Sequence, residues 1–410
     1  MACRPDIPPN RTPPTAGGPP FSACLPGPLS WLEVGLATLH REGLHRPQKI
    51  RRGKQGREVE LDGRRLLNFG SNDYLGYAAD VRLAKAAAKG ACAEGFGAGA
   101  SPLVSGHSTI HAALETAIAD LLGVGAALVF PSGFAANAAT IAALVGPGDL
   151  VASDERNHAS IIDGCRLSRA TIRVHPHRDP LALEKILAAS AAPRKLVVTD
   201  SLFSMDGTLS PLADLVEVAS RHGAMFMVDE AHATGVFGAR GSGLVEELGC
   251  GDGVHIRVGT LSKALGSGGG FVAGHPSLIE WLRHSARAWI FSTAHPPAIA
   301  AAALKAIGLL AAEPLRRGEL RSRAAAFRDR LQSAGLPIGG AGGQIVPVVV
   351  GSAEKAVMLS QRLADAGFFV PAIRPPSVAP GGSLVRVSLS WHHTEDDLQR
   401  LAETLVGAVA

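Results

Sequence analysis

From about Ala127 onward the sequence alternates short apolar runs with longer helical stretches, and this alternation restricts the fold more than any other feature. Continuous apolar runs separated by helices are typical of strands in a parallel or mixed sheet that helices cover on both faces. In such sheets ligands bind beyond the carboxyl ends of the strands. The runs are ALVF, LVAS, IRVH, KLVVTD, AMFMVDE, IRVGT and GFVAG, and helical stretches at 134–145, 179–190 and 211–221 lie between them.

The pattern changes after a helical stretch at 297–312. The segments IVPVVVG, FFVPAIRP and LVRVSLS surround two helical segments and predict a smaller α+β domain with an antiparallel sheet. The last helix begins with TEDD at Thr394, which resembles a capping box. We expect the following organisation: a proline-rich disordered extension at 1–28, an N-terminal arm at 29–65, a large domain at 66–295 and a small domain at 296–410.

Composition excludes several classes of protein. The chain has 410 residues, of which 46% are hydrophobic, and its net charge of +4 comes from scattered basic residues. We therefore expect no nucleic-acid partner and no membrane-surface role. The five cysteines form no CxxC pair, which favours free thiols in a reducing cytoplasm. The sequence contains no P-loop and no GxSxG motif, and its histidine pairs lack the partners of a metal site.

Polar residues follow several of the predicted strands. Gly133 and Phe134 lie between a strand and a helix in FPSGFAAN, where their backbone N–H groups would face a phosphate. An ordinary strand–helix turn explains that segment equally well. His158 follows the next strand in DERNHAS, and Ser204 lies in TDSLFSMDG. A lone histidine is more often structural than catalytic, and the serine segment also fits an ordinary loop.

Two further strand ends carry a sharper signal. Asp229 ends the apolar run MFMVD, His232 follows it, and a buried carboxylate is unfavourable unless a cation meets it. An aspartate that caps a following turn is the alternative. Thr260 and Lys263 lie in TLSKALGSGGGF, where small residues leave space around the lysine. A lysine that bonds covalently to a flat, bulky group needs such space. Pyridoxal phosphate would account for all of these residues, because it offers an aldehyde, a phosphate and a ring nitrogen.

The ordered motifs resemble those of the α-oxoamine synthase family, whose members are fold-type I pyridoxal-phosphate enzymes. The resemblance covers the chain from about Leu29 to the C-terminus and implies an α/β, aspartate aminotransferase-like fold with a large, mainly parallel sheet. The motifs are NFGSNDYLGY, LVSGHSTIHAALE, FPSGFAANAA, DERNHASIIDG, FSMDGTLSPL, VDEAHATGVFGARGSGL, GTLSKALGSGGGFVAG, FSTAHPP and PAIRPPSVAPG.

The resemblance also implies a set of cofactor contacts. Lys263 would hold pyridoxal 5'-phosphate covalently, Asp229 would pair with the ring nitrogen, and His158 would stack on the ring; these three are the expected catalytic residues. His232 would contact the phenolic oxygen. The expected cofactor-binding residues are Gly133, Phe134, His158, Ser204, Asp229, His232, Thr260 and Lys263.

Substrates and partners follow from the same resemblance. It implies that L-alanine condenses with a pimeloyl thioester, carried by coenzyme A or acyl-carrier protein, to 8-amino-7-oxononanoate, CO2 and free thiol in biotin biosynthesis. Arg374 suits the alanine carboxylate. The resemblance further implies a homodimer in which Ser292 and Thr293 reach the neighbour's phosphate. The expected substrate-binding residues are Arg46, Asn72, His158, Arg374 and Ser377.

Three alternatives remain at this stage. A sister enzyme that uses glycine or serine, such as 2-amino-3-ketobutyrate ligase or serine palmitoyltransferase, shares the cofactor motifs. An aminotransferase of the same fold is the second alternative. A non-catalytic homologue is the third, and the intact set Lys263, Asp229, His232 and His158 argues against it.

Overall fold

The computed structural model describes residues 27–340 and 342–409 of the chain. The chain divides into two compact units, Met1–Gln48 and Lys49–Ala410, and each is described by itself. Every predicted site residue lies in the second unit except Arg46, which lies in the first.

The first unit is short and helical where it is described. A 3-10 turn at Gly27–Leu29 precedes helix α1, Trp31–Arg41. The disorder predicted for 1–28 falls almost entirely on residues 1–26, which are outside the described part of the chain.

The second unit contains the remaining helices and all of the described strands. Its strands are β1 Arg51–Arg52, β2 Glu58–Leu61, β3 Arg64–Asn68, β4 Ala126–Phe130, β5 Leu150–Asp154, β6 Thr171–His175, β7 Lys195–Asp200, β8 Met225–Asp229, β9 Ile256–Thr260, β10 Gly270–Gly274, β11 Ile345–Gly351, β12 Phe368–Phe369, β13 Ala372–Ile373 and β14 Ser383–Ser388. Its helices are α2 Val81–Glu94, α3 Thr109–Leu122, α4 Gly133–Leu144, α5 Ala159–Ser168, α6 Pro180–Ala188, α7 Leu212–Arg221, α8 Leu244–Glu247, α9 Pro276–Ser285, α10 Arg287–Ile290, α11 Pro297–Ala312, α12 Leu315–Ser333, α13 Ala353–Asp365 and α14 Glu395–Val409.

The central sheet has seven strands in the order β4-β10-β9-β8-β7-β5-β6. Each of the seven predicted apolar runs forms one of these strands. Strand β10 is antiparallel to both of its neighbours, and the other paired strands are parallel to each other. The carboxyl ends of β5, β7, β8 and β9 therefore meet at one edge of the sheet.

Helices cover both faces of this sheet, as continuous apolar strands require. Successive side chains of a strand point to opposite faces. In β8, Phe226 and Val228 pack into one hydrophobic cluster while Met227 packs into the other, and all three are completely buried. The predicted α/β architecture, with a mainly parallel sheet, is confirmed.

Helix α11 packs closely against α2 and α3 because its facing residues are small. A Cβ atom placed on Gly90 of α2 would lie 2.7 Å from the Cβ of Ala301, which is closer than packing permits. Within the described residues, no single helix is long and apolar enough to cross a membrane. The bent pair α11 and α12, with 75° between the two helices, passes that test by length and composition alone.

The second unit also contains two smaller sheets, and both include strands from the part of the chain after residue 312. Strands β11, β14 and β13 form the predicted antiparallel sheet. The segment FFVPAIRP does not form one strand: its first part is β12, which pairs in parallel with β3, and its second part is β13. Pro371 separates the two parts, and proline cannot donate a ladder hydrogen bond. The domain boundary at 295/296 stays a prediction.

The predicted capping box is present at the start of α14. The Thr394 N–H donates to Asp397 Oδ2 at 2.8 Å, and the Asp397 N–H donates to Thr394 Oγ1 at 3.2 Å. Arg57 reaches the same carboxylate through two hydrogen bonds of 2.7 and 2.6 Å. Asp397 therefore caps the helix and ties it to the segment before β2.

We predict that Asp397→Ala lowers the free energy of unfolding by about 2–3 kcal/mol, because it removes charge-assisted hydrogen bonds from a completely buried carboxylate. Urea denaturation followed by circular dichroism measures this change. Asp396→Ala is the matched control, since Asp396 is mostly exposed and its ion pair with Arg400 is 3.9 Å long. The control should change stability by less than about 0.5 kcal/mol. Equal effects of the two variants would contradict the assignment.

Candidate active site

Several predicted residues meet at the carboxyl edge of the central sheet. Asp229 is the last residue of β8 and stands in register between Asp200 of β7 and Val258 of β9. Lys263 follows the end of β9, and His158 follows the end of β5. The strand order thus brings together residues that are far apart in the sequence.

The Lys263 amine lies against His232. Their Nζ and Nε2 atoms are 2.7 Å apart, and His232 Nδ1 lies 2.6 Å from the hydroxyl of Tyr74. Burial lowers the pKa of Lys263 to about 8, although Asp229 and Asp200 favour its charged form. Burial also holds the pKa of His232 well below its usual range, and the Lys263 charge adds to this. His232 is therefore neutral, and the lysine loses its proton far more easily than an exposed lysine.

Arg386, which the sequence analysis did not predict, hydrogen-bonds to residues next to this pair. Arg386 Nη2 donates to Asn72 Oδ1 at 3.1 Å and to the Tyr74 hydroxyl at 3.4 Å. The Tyr74 hydroxyl in turn lies 3.1 Å from Asn72 Oδ1, and Gln344 Nε2 donates to the His232 carbonyl at 2.8 Å. Asn72 is thus joined through Tyr74 to the residues around Lys263, and its predicted role in substrate binding stays a prediction. Arg386 lies in the middle of the apolar segment LVRVSLS, and a buried arginine there was the signal that could have revealed it.

Asp229 is buried and accepts hydrogen bonds from two neutral donors. Its Oδ2 accepts from Asn137 Nδ2 at 2.6 Å, and its Oδ1 accepts from the Ala231 N–H at 2.7 Å. Since both donors are uncharged, the carboxylate can still pair with a cationic group. Sequence reasoning also missed Asn137, which sits in α4 behind the FPSGF turn.

His158 caps helix α5 and is itself exposed. Its backbone N–H donates to Asp200 Oδ2 at 2.8 Å, and the Asp200 N–H donates to Asn157 Oδ1 at 3.0 Å. Burial raises the pKa of Asp200 well above its usual range, and the neighbouring Asp229 charge adds to the shift. The Asp200 carboxyl at the end of β7 is therefore harder to ionise than an exposed aspartate.

The N-terminus of α4 lies beside the start of β10. A Cβ atom on Gly270 would lie 2.4 Å from the Gly133 nitrogen, so the two backbones approach as closely as glycine allows. The Ser132 side chain caps the helix by accepting from the Ala135 N–H at 3.1 Å. The first N–H groups of a helix have no acceptor within it, which makes this end a place for an anion. Thr260 lies beside Gly133, and its hydroxyl donates to the Gly269 carbonyl at 2.9 Å.

The remaining predicted residues lie on loops. Ser204 is partly buried in the turn between β7 and α7. Arg374 and Ser377 lie between β13 and β14, where the Ser377 N–H donates to the Arg374 carbonyl at 3.0 Å. Arg46 belongs to the first unit, and the other predicted residues belong to the second. The roles of these four residues, like those of the other site residues, stay predictions.

Comparisons with known proteins agree with this geometry. Residues 64–405 match the family model described as aminotransferase class I and II. The 8-amino-7-oxononanoate synthase of Anaeromyxobacter dehalogenans is 48% identical over 367 residues, which are 90% of this chain and 92% of that protein.

Two solved structures are similar over most of their length. Serine palmitoyltransferase from S. paucimobilis, with bound PLP–myriocin, has a TM-score of 0.88 at 33% identity, covering 93% of this chain and 97% of that one. The 8-amino-7-oxononanoate synthase from Francisella tularensis has a TM-score of 0.73 at 27% identity, covering 84% and 98% of the two chains. Similarity of this extent at the levels of fold and sequence means that the chain belongs to the 8-amino-7-oxononanoate synthase family, within the class I and II aminotransferases.

Proposed function

We propose that the protein condenses L-alanine with a pimeloyl thioester and releases CO2 and the free thiol, giving 8-amino-7-oxononanoate in biotin biosynthesis. One observation carries this proposal: a partly buried lysine with a lowered pKa lies against His232, in a chain that is 48% identical to an 8-amino-7-oxononanoate synthase. The thioester is carried by coenzyme A or by acyl-carrier protein. The sister activity on serine is supported by fold similarity at a lower identity, 33%.

The residues of the site fit pyridoxal phosphate as the cofactor. When bound, this group supplies an aldehyde that an amine can attack and a ring that withdraws electrons from an attached carbon. Lys263 offers the amine, and Asp229, held by two neutral donors, offers a carboxylate to the cationic ring nitrogen. The glycine-lined N-terminus of α4 offers N–H groups to the phosphate. The residues that would complete these contacts are Phe134, His158, Ser204, His232 and Thr260.

Lys263 and its neighbours would move the protons of the reaction. The neutral Lys263 amine would remove the proton from the α-carbon of alanine and return a proton after CO2 leaves. Neutral His232 would hold this amine in place through the 2.7 Å contact. Tyr74 and Arg386 fix the other side of the His232 ring, and the burial of this group excludes water. Arg374 would bind the alanine carboxylate, with Asn72, His158, Ser377 and Arg46 completing the substrate contacts.

We also propose that the protein is a cytoplasmic homodimer. The support is a surface on which large apolar side chains are exposed: Phe96, Leu103, Val104, Phe134 and Phe291. The turn at Pro102–Gly106 packs against α10, and α10 packs against α4, so most of these side chains belong to neighbouring elements. An exposed apolar surface of this kind is typical of a subunit interface. Ser292 and Thr293 adjoin it and would reach the phosphate of the other subunit.

The substrate choice predicts that purified protein loaded with pyridoxal phosphate turns over L-alanine with a pimeloyl thioester, and turns over glycine and serine at least about tenfold more slowly. Release of free thiol measures the rate with coenzyme A and with acyl-carrier protein as carriers. Lys263→Ala should abolish turnover with every pair. Faster turnover of serine with a long-chain acyl thioester would instead support the sister activity.

The lowered pKa of Lys263 predicts a specific pH dependence. The rate at which borohydride fixes pyridoxal phosphate to Lys263 should rise as pH increases through about 8, because only the neutral amine attacks. At pH 7 about a tenth of the Lys263 amines are neutral, against fewer than about one in a thousand for an ordinary lysine. Peptide mapping by mass spectrometry measures the fixed fraction. A free lysine derivative treated in parallel should show a midpoint above about 10, as its ordinary pKa requires, and the same midpoint for Lys263 would contradict the prediction.

The proposed interface predicts that sedimentation velocity detects a dimer at micromolar concentration. Val104→Glu places a charge within the apolar surface and should shift the protein to monomer. Val349→Glu is the matched control, since Val349 is also partly exposed but belongs to the three-stranded sheet. A wild-type monomer, or equal dissociation of both variants, would refute the assignment of the surface.

A further inference from the structure

Two buried polar side chains, Asn137 and Ser160, lie between Asp229 and His158. Asn137 is 1% exposed and Ser160 is completely buried, so their hydrogen bonds form away from water. The chain of contacts runs from Asp229 Oδ2 to Asn137 Nδ2 at 2.6 Å, on to Ser160 Oγ at 2.9 Å, and on to His158 Nδ1 at 2.7 Å. Buried polar groups in such a chain restrict one another's protons.

The orientation of the Asn137 amide follows from its partner. The atom nearest Asp229 must be the amide nitrogen, because a carbonyl oxygen 2.6 Å from a carboxylate would repel it. The two hydrogens of this nitrogen are then both used, one by Asp229 and one by Ser160 Oγ. Ser160 therefore accepts from Asn137.

The single hydroxyl hydrogen of Ser160 is then left for His158. The Ser160 Oγ donates to His158 Nδ1 at 2.7 Å, and the Ser160 backbone N–H approaches the same nitrogen at 3.3 Å. A nitrogen that accepts from two donors carries no proton of its own. The neutral imidazole must therefore carry its hydrogen on Nε2, and this nitrogen can donate to a ligand in the cleft.

We propose that Asn137 and Ser160 are positioning residues that link Asp229 to His158 and hold His158 as a neutral donor through Nε2–H. The Asp229 carboxylate orients the Asn137 amide, the amide orients the Ser160 hydroxyl, and the hydroxyl selects the histidine tautomer. In the reaction proposed above, on which this inference rests, the Nε2–H group would serve an acceptor oxygen of the bound substrate. The charge that faces the cofactor ring nitrogen thus also sets the hydrogen-bonding character of the residue expected to stack on the ring.

A purely structural role makes a different prediction. If Asn137 and Ser160 served only to pack α4 against α5, any substitution that kept the packing would leave the tautomer of His158 unchanged. Thr140 offers the comparison, because it lies one turn further along α4 and is completely buried. Thr140→Val preserves shape and leaves the contacts between Asp229 and His158 intact.

The decisive measurement is the tautomer of His158 in the protein without cofactor, read from long-range ¹H–¹⁵N spectra of the histidine rings. The chain contains 15 histidines, so the His158 signals are identified by their loss in His158→Gln. The wild-type protein and Thr140→Val should show hydrogen on Nε2. Ser160→Ala removes the closer of the two donors to Nδ1 and should give a measurable fraction of the Nδ1–H form, while Ser160→Thr, which retains a hydroxyl, should restore the wild-type spectrum.

Kinetics provide the second readout. Asn137→Leu removes a hydrogen bond to the Asp229 carboxylate and should lower kcat/KM roughly tenfold to a hundredfold. Ser160→Ala removes hydrogen bonds between neutral groups and should lower it about threefold to tenfold, whereas Ser160→Thr should stay within about twofold. Ser160→Ala deletes one oxygen and is the informative variant if Asn137→Leu fails to fold. A wild-type tautomer in Ser160→Ala, or an Nδ1–H wild-type protein, would overturn the inference. Because the spectra need no turnover, failure of the proposed reaction would leave them unchanged and is recognised separately.

Discussion

The rest of the site depends on the balance between the burial of Lys263 and its electrostatic interaction with Asp229 and Asp200. Burial alone would drive the amine to its neutral form, and a fully exposed amine would stay protonated. The balance at about 8 arises because Asp229 and Asp200 oppose the effect of burial. Burial also holds the pKa of His232 well below its usual range, so the ring in contact with the amine adds no second positive charge. The parallel strands make this possible, because they deliver several side chains to one edge at fixed spacing.

Much of the fold could be predicted from the sequence because its strands are buried on both faces. All seven apolar runs became strands of the central sheet, and the residues predicted at their carboxyl ends, Asp229 and Lys263 among them, follow those strands in the structure. The single apolar segment FFVPAIRP contains two strands, β12 and β13. Apolar residues continue through Pro371, but β12 pairs with β3 and β13 pairs with β14. Hydrophobicity reports burial, and it does not report the partner of a strand.

The supporting polar residues escaped prediction for a different reason. Asn137 and Asp229 are 92 residues apart in the sequence, Gln344 and His232 are 112 apart, and Arg386 and Asn72 are 314 apart. No periodicity or local motif connects such pairs, and only the folded chain shows that their polar atoms satisfy one another. Residues that touch a cofactor recur in recognisable motifs, whereas residues that orient them are visible only as polar positions inside apolar segments.

Because β10 runs antiparallel to β9, the segment that carries Lys263 between them forms a hairpin. Thr260 and Gly270 are paired across an antiparallel turn, and within it the Gly269 carbonyl accepts from the Leu261 N–H and from the hydroxyls of Thr260 and Ser262. The parallel strands of the sheet need a helical crossover between them, but this segment closes on itself at the small entropic cost of a short loop. The amine can therefore take up its local geometry as soon as two neighbouring strands pair. Length changes within the hairpin would therefore disturb the amine more than insertions in any of the outer connections.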